Sequence, residues 1–517
     1  MRFCAKEATA PFILRRLIPF FVLFFAHPTW PQSLRPSHWT DPSIAFLQHR
    51  GYLWRLSPLT RPYHADPVLN LVEKEAGSSS DATRLAYEHA LVLRDYLKQT
   101  TLQSGEAGVA IESFHEGSGG QALFQYHGVQ RLTLAFKPAP WLEVYNTMLF
   151  DNRLDEAPAY LGIRQSGYAG YTEQAYVRAH HGGFSAGFGR DYLRFGPGAD
   201  AALLLSDYAR PLDHLELGYH YKWLTYRFIT ATLNATGYAI DGAPGHQNRY
   251  LTLHHLQISP LENLHIGIGE AILFGGPDAG LDFAYFNPFL SYHGEQMNGP
   301  SGGNTMGSIH LAALLKKRWF IHADLLIDDV QLEKTGPGDL EPNAYGLLFG
   351  INGADPLGIR GADVMLEYTR ITNRTYNGQG GPWEKWLHRN QPLGHFLGND
   401  FDRLQCAISW WPVSRWRAQL HFEYRRRGEG RIEKPFDTPW EEVPLGGSYS
   451  EPFPTGVVEK MQRWQLDVQY QRAWWLRLFA ATAHQNITNH ENQRGTGLSE
   501  WRFRCGFDCS LRKKFEL

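Results

Sequence analysis

Cysteine is nearly absent from this 517-residue chain, which has four. Cys4 falls in an N-terminal leader. Cys505 and Cys509 stand four apart on what reads as one extended segment. Strand spacing puts their Cα atoms ~13 Å apart, against a disulfide limit of ~7 Å. Those two cannot pair with each other, no metal site is expected, and all three, with Cys406 between Leu404 and Ile408, read as small hydrophobes on the apolar face. An excess of one charge is lacking too. Fifty Lys and Arg face 52 Asp and Glu, net -2, so no basic field exists to hold nucleic acid. Beyond the leader no apolar run reaches the ~20 residues of a membrane-spanning helix. Aromatics, by contrast, make up 14% of the chain, with 16 Trp and 25 Tyr.

The leader spans residues 1–30. Arg15 and Arg16 precede LIPFFVLFFA (Leu17 to Ala26), a basic region and a short apolar run typical of a secretory signal. Cleavage is expected between Ala26 and Ser33, and the mature chain is then exported. Residues 38–105 read as helical. After SSSD, with Asp81 as cap, Leu85, Ala86, His89, Ala90, Leu93, Tyr96 and Leu97 recur at helical spacing. Shorter helices are expected over Pro42–His49 and Pro67–Lys74. Such a short segment buries little core alone and is expected to pack on the rest of the chain.

From residue 107 to 517 the period is two. In SRWRAQLHFEYRR, Trp416, Ala418, Leu420, Phe422 and Tyr424 oppose Arg417, Gln419, His421, Glu423 and Arg425. QRWQLDVQYQ sets Trp464, Leu466, Val468 and Tyr470 against Arg463, Gln465 and Asp467. HLELGYHYKW sets Leu215, Leu217, Tyr219, Tyr221 and Trp223 against His214, Glu216, His220 and Lys222. Dense mixed charge on one face and Trp- or Tyr-bounded apolar rows on the other suit a wet lumen and a lipid-facing exterior. The terminal WRFRCGFDCSLRKKFEL alternates to its end, broken on the apolar face only by Lys513. A repeat of ~20–24 residues predicts an all-β membrane barrel of about 18 antiparallel strands with a small N-terminal helical subdomain. Residues 275–307, 372–400 and 427–457 lack a strand period and read as outer loops.

Few residues suggest chemistry. Ser206, Asp207, Asp213 and His214 are the types of a hydrolase triad. Ser206, however, sits in the strand-like ALLLSDYA without the G-x-S-x-G elbow. Gly196 and Gly198 around Pro197 do not feed a helix, so they are not a phosphate loop; FGPG and ARPLD read as strand connections. The glycines of GIGEAILFGG mark bends or close backbone approach. His254 and His255 face opposite sides. His322, Asp324 and Asp328 share a face and read as a lumenal network with arginines. No metal or cofactor is expected, and no Ser–His motif supports a membrane lipase or acyltransferase. The segment Trp383 to Asp400 is the best binding candidate. Trp383, Trp386, His388, Arg389, His395, Asn399 and Asp400 combine aromatic faces for sugar C–H patches with polar groups for hydroxyls. A plug or a self-folded loop is the competing reading. Arg190, Asp207, Arg210 and Asp213 read as a structural polar cluster.

GRDYLRFGPGADAALLLSDYARPLDHLEL at Gly189 resembles a segment of the capsule-assembly Wzi family. So do RYLTLHHLQISP at Arg249, FNPF at Phe286, LLIDD at Leu325, HRNQPLGHFLGND at His388 and AFLQHRGYLWRLSPLTRPY at Ala45, in the expected order. The resemblance implies a barrel in the bacterial outer membrane with a helical bundle on the periplasmic side. It also implies a lectin-like, non-enzymatic protein that attaches or helps assemble capsular or extracellular polysaccharide. The partners implied are that polysaccharide, outer-membrane lipid and polysaccharide-export machinery. A porin-like channel for small solutes is the alternative.

Overall fold

The computed structural model describes residues 33–516 except 37, 77–83, 101–103, 119–124, 158–159, 161, 241–242, 278, 299–302, 332–339, 379 and 445. The leader with its cleavage site, the cap at Asp81 and the terminal Leu517 lie outside the described residues. Eighteen long strands follow one another: β1 Gly105–Ser118, β2 Gln125–Ala139, β3 Leu142–Asp151, β4 Ala169–His181, β5 Phe184–Asp191, β6 Leu212–Tyr221, β7 Leu224–Thr232, β8 Ala243–Leu261, β9 Leu264–Gly276, β10 Gly303–Leu315, β11 Trp319–Asp329, β12 Ala344–Ala354, β13 Ala362–Ile371, β14 Phe401–Val413, β15 Trp416–Arg427, β16 Glu459–Ala473, β17 Leu476–Thr488 and β18 Gly497–Phe515. Every neighbouring pair is antiparallel, and β18 pairs with β1 from Arg502–Ser118 to Phe515–Gly105, which closes the sheet. A further short strand, Thr236–Ile240, only extends β8 as a hairpin. Closure leaves no sheet edge, the condition for spanning hydrocarbon with strands.

The period-two reading holds in three dimensions. On β15 Trp416 and Leu420 are 44% and 42% exposed on the outer wall, while Glu423 on the other face is 7% exposed. Trp464 and Leu466, Leu217 and Tyr221, and Trp501, Phe503 and Phe507 are likewise exposed outward. Among the described residues no helix is long and apolar enough to cross a membrane; the exposed apolar rows lie on the outer faces of the barrel strands. Cys406, Cys505 and Cys509 are all free.

The strand connections alternate between tight turns and long loops. At the tight-turn end three helices fill the barrel mouth: α1 Thr40–His49, α2 Ala65–Ala76 and α3 Arg84–Thr100. The two short helices run slightly past their expected bounds because Pro42 and Pro67 fall in the first turn, where a missing N–H is tolerated. Ala86, Leu93, Tyr96 and Leu97 of α3 pack on Ile44, Phe46 and Val68. That cluster reaches the wall: Phe46 lies 4.8 Å from Trp411, and Arg50 bridges Asp355 at 2.9 Å and Asp363 at 2.8 Å.

The long loops at the opposite end correspond to residues 277–302, 372–400 and 428–458, each within two residues of the sequence boundary at its start. One segment departs from its reading. FGPG and ARPLD do lie on the connection between β5 and β6, but ALLLSDYA is not the strand it resembles: residues 192–211 form a loop turned into the lumen. Leu203, Leu204 and Leu205 are at most 1% exposed there. Three consecutive buried leucines mimic a strand in sequence, but they serve a core surrounded on all sides.

Candidate functional site: a lumenal plug and its outer rim

Two inward loops, 192–211 and 372–400, meet in the lumen and share one hydrophobic core with the inner faces of β7 to β14. Phe195, Leu203 to Leu205, Tyr376, Trp386, Leu393 and Phe401 pack there against Ile229, Leu251, Leu273, Met306 and Leu348. The loops are joined at backbone carbonyls. Trp386 Nε1 donates to Leu204 O at 2.9 Å, Ser206 N to Leu393 O at 2.7 Å, and the Tyr376 hydroxyl to Leu203 O. Lumenal carboxylates hold them to the wall. Asp324 accepts from Leu203 N at 3.0 Å, Glu367 from Ala199 N at 2.8 Å, and Asp328 from Tyr376 N at 2.6 Å. Arg403 pairs with Asp200 at 2.8 Å. On the other side Thr60–Arg61 pairs with Arg194–Phe195 as a two-residue sheet, and Gly196 N donates to Leu59 O at 2.8 Å. The plug is therefore continuous from the long loops to the helical end.

Glycine makes the close packing possible. Gly196 has φ +140°, and a Cβ there would sit 2.5 Å from Asp324 Oδ2 and 2.7 Å from Ala202 Cβ. Gly267 and Gly269 of β9, expected to mark close approach, do so: a Cβ would lie 2.6 Å from His255 Nε2 and 2.7 Å from Ser308 Oγ.

The sequence-derived binding residues divide sharply. Trp386, His395 and Asp400 are fully buried, Asn399 is 1% exposed and His388 6%. They hold the plug rather than present themselves to solvent. His395 stacks on Phe396 at 4.5 Å and packs on Phe401. Asn399 donates to Asn373 O, and Asp400 accepts from Gly430 N at 2.8 Å and Thr455 N at 3.0 Å, tying in loop 428–458. Burial first, then nearby arginines, brings His388 and His395 each down to about 3, so both imidazoles are neutral.

Trp383 and Arg389 are the two of the seven that are only partly covered. Leu387–His388 and Gln391–Pro392 form a tiny hairpin whose tip is Arg389–Asn390, at φ 50° and 61°. This two-residue turn, with positive φ at both central positions, puts Arg389 at its apex, and its backbone N–H donates to Asn234 Oδ1 at 2.6 Å. Among the described residues its guanidinium has no ion-pair partner. Partial burial, with Arg190 and Arg210 close by, holds it below the usual arginine range. Arg190 is matched by Asp213 at 2.6 Å. Arg210 lies over the Tyr171 ring at 4.0 Å and near Tyr160 at 5.8 Å. Asp207 leaves this expected cluster; it faces Arg194 at 3.6 Å inside the plug. Tyr171 carries no local sequence signal, because only the fold brings it near Arg389.

Elsewhere the lumen shows two further features. Ser308 Oγ lies 3.0 Å from His310 Nε2, and His310 Nδ1 lies 3.0 Å from Asp324 Oδ1. This is triad order, brought together from β10 and β11 and missed in the sequence. All three are at most 3% exposed, and Asp324 also accepts from Leu203 N of the plug. His322 pairs with Glu367 at 2.7 Å; the arginine network expected for His322, Asp324 and Asp328 is corrected, for their partners are Glu367, His310 and plug amides. No group of three metal-ligating residues occurs among the described residues. On the flank away from the plug a cavity of about 110 Å³ remains, lined by Arg35, Trp39, Tyr96, Arg131, Arg477 and Arg512 among others.

The comparisons fit this geometry. The solved structure of Wzi from Escherichia coli is described as that of an outer-membrane protein involved in group 1 capsule assembly and a carbohydrate-binding β-barrel. It is similar at TM-score 0.63 and 14% identity, over 95% of this chain and 100% of that one. Two Pseudomonas aeruginosa barrels lie further off: OccK1 (OpdK) at TM-score 0.46 and 10% identity, over 80% and 100% of the two chains, and OprD at 0.44 and 9%, over 80% and 95%. No curated protein matches the sequence. The family model for capsule assembly protein Wzi matches residues 121–497, from just before the second barrel strand to the start of the last. The chain belongs to the capsule assembly protein Wzi family.

Proposed function

We propose that this chain sits in the bacterial outer membrane, binds capsular or extracellular polysaccharide, and holds it at the cell surface as a lectin-like anchor without catalysis. The observation that carries this reading is the plug. A solute channel needs an open lumen, whereas here two loops and three helices occupy it. An enzyme needs a nucleophile in reach of substrate, whereas Ser308 lies beneath Leu204. Binding at the outer rim needs neither. The E. coli relative's description as a carbohydrate-binding barrel and the shared family support the same reading.

The element proposed for glycan contact is Trp383 to Asp400. Trp383 and Arg389 make the direct contacts, while Trp386, His388, His395, Asn399 and Asp400 fix the loop beneath them. An indole face covers sugar C–H patches, and a planar guanidinium engages two oxygens at once. Arg210 on Tyr171 extends the surface. Membrane lipid surrounds the strands, and polysaccharide-export machinery is the partner proposed for the helical end.

The test is a binding measurement on purified barrel with polysaccharide from the producing cell. Trp383→Ala and Arg389→Ala should each weaken binding several-fold while the barrel keeps its heat-modifiable mobility. Unchanged affinity in the double variant would remove this rim from the account.

A further inference from the structure

The outer wall between β6 and β11 carries something that a lipid-facing wall ordinarily excludes. Reading across the registers, Leu217, Phe228, His254, Glu270, Gly307 and Ile327 form one outward row. At its two ends Leu217 and Ile327 are 41% and 37% exposed, as befits the membrane-facing surface, yet Phe228 between them is 1% exposed. His254 Nε2 and Glu270 Oε2 form a polar pair at 3.0 Å on this same face. A carboxylate turned toward hydrocarbon is strongly disfavoured unless covered.

The cover is the loop after β9, which turns outward and down the wall instead of over the mouth. Tyr292 stacks on His254 at 4.6 Å, and His293 N donates to Glu270 Oε1 at 2.7 Å. Tyr285 and Tyr292 pack on Ile272 and Phe274. Phe289 stacks on Tyr226 at 5.9 Å, one register row nearer the tight-turn end. Its neighbours in that row, Leu256 and Ile268, are 39% and 57% exposed. The loop exposes large apolar side chains, Leu281, Phe283 and Phe289 at 54%, 89% and 85%, with Asp282, Asn287 and His293 exposed among them.

We infer that residues 279–296 form a flap lying within the membrane on the outside of the barrel. His254 and Glu270 anchor it, and Leu281, Phe283 and Phe289 contact lipid acyl chains. Lipid is the occupant because Phe289 stacks on Tyr226 in the row of the exposed Leu256 and Ile268, and Leu281 and Phe283 are exposed on the same loop. The flap owes nothing to glycan binding at the rim, so it stands or falls separately.

The test uses full-length barrel in lipid bilayers. Cys406, Cys505 and Cys509 are replaced by Ala, and single spin labels enter at Phe283→Cys or Phe289→Cys. References are Leu217→Cys on the wall and Glu441→Cys on an aqueous loop. The ratio of oxygen to nickel-chelate collisions at 283 and 289 should match that at 217 and exceed that at 441 several-fold. A ratio matching 441 would place the flap in water. Low collision with both agents plus dipolar broadening would mean that a second copy covers it; either result overturns the inference. Should the cysteine-free barrel fail to fold, an acyl-diazirine lipid reacted with the native chain decides the same point. Labelled peptide from 279–296 supports the flap, and labelling confined to strands refutes it.

Discussion

Replacing Trp386 by Ala should unseat the plug while leaving the barrel folded. The indole is fully buried among the two inward loops and the wall. Truncating a buried Trp to Ala costs about 3–5 kcal/mol in lost burial and residual cavity. Removing Nε1 also strands the Leu204 carbonyl it bonds at 2.9 Å, adding about 1–3 kcal/mol if no water replaces it. The barrel's ladder does not pass through either loop, so the loss falls on docking. At about 1.4 kcal/mol per tenfold, a loss of 4 kcal/mol raises the undocked fraction roughly a thousandfold. Planar-bilayer recording reads this directly. The native barrel should show small or no steady conductance, and Trp386→Ala should show frequent opening steps. Large steady currents in the native protein, or a silent Trp386→Ala barrel with unchanged protease resistance in 372–400, would refute the plug argument.

Acid should loosen the same plug. His388 and His395 sit near 3 when folded, below their ordinary 6.5. Both are neutral in either state above that ordinary value. As pH falls from 6.5 toward 3 the released loop takes up protons first and docking weakens, so the protection of amides in 386–400, taken against the intrinsic exchange rate at each pH, should fall across that window and stay level above it. Gly196→Ala drives a Cβ into Asp324 and Ala202 at positive φ, and about 1–3 kcal/mol of overpacking should appear as raised conductance. Arg50→Ala leaves Asp363, a 10% exposed carboxylate, without its guanidinium. A loss of about 3 kcal/mol or more should make residues 40–100 sensitive to protease while the β-sheet signal persists.

Much of the architecture was readable from alternation alone. Trp416 to Tyr424 against Arg417 to Arg425 assigns inside and outside correctly, because a lipid-facing row and a wet lumen impose opposite chemistry on successive residues. The helical end was legible from the spacing of Ala86, His89, Leu93 and Leu97. The direction taken by long loops was not. ALLLSDYA has the composition of a strand and Trp383 to Asp400 that of a sugar site, yet the first and most of the second are buried in the plug. Their burial depends on wall residues such as Asp324, Glu367 and Leu251 that lie far away in sequence. FNPF and SYHG likewise read as an outer loop, with nothing local to indicate that Glu270 and His254 would draw them down the wall. At the rim, Arg389 stands out in the sequence by its residue type, whereas only the fold shows that Tyr171 and Arg210 lie near it.

The central claim, retention of polysaccharide by a closed barrel, is tested most directly in cells. A deletion strain should make normal amounts of polysaccharide but release most of it to the medium. The native chain should restore the cell-bound fraction, and the Trp383→Ala, Arg389→Ala double variant should not, despite equal barrel in the membrane. Unchanged cell-bound polysaccharide in the deletion strain would contradict the account.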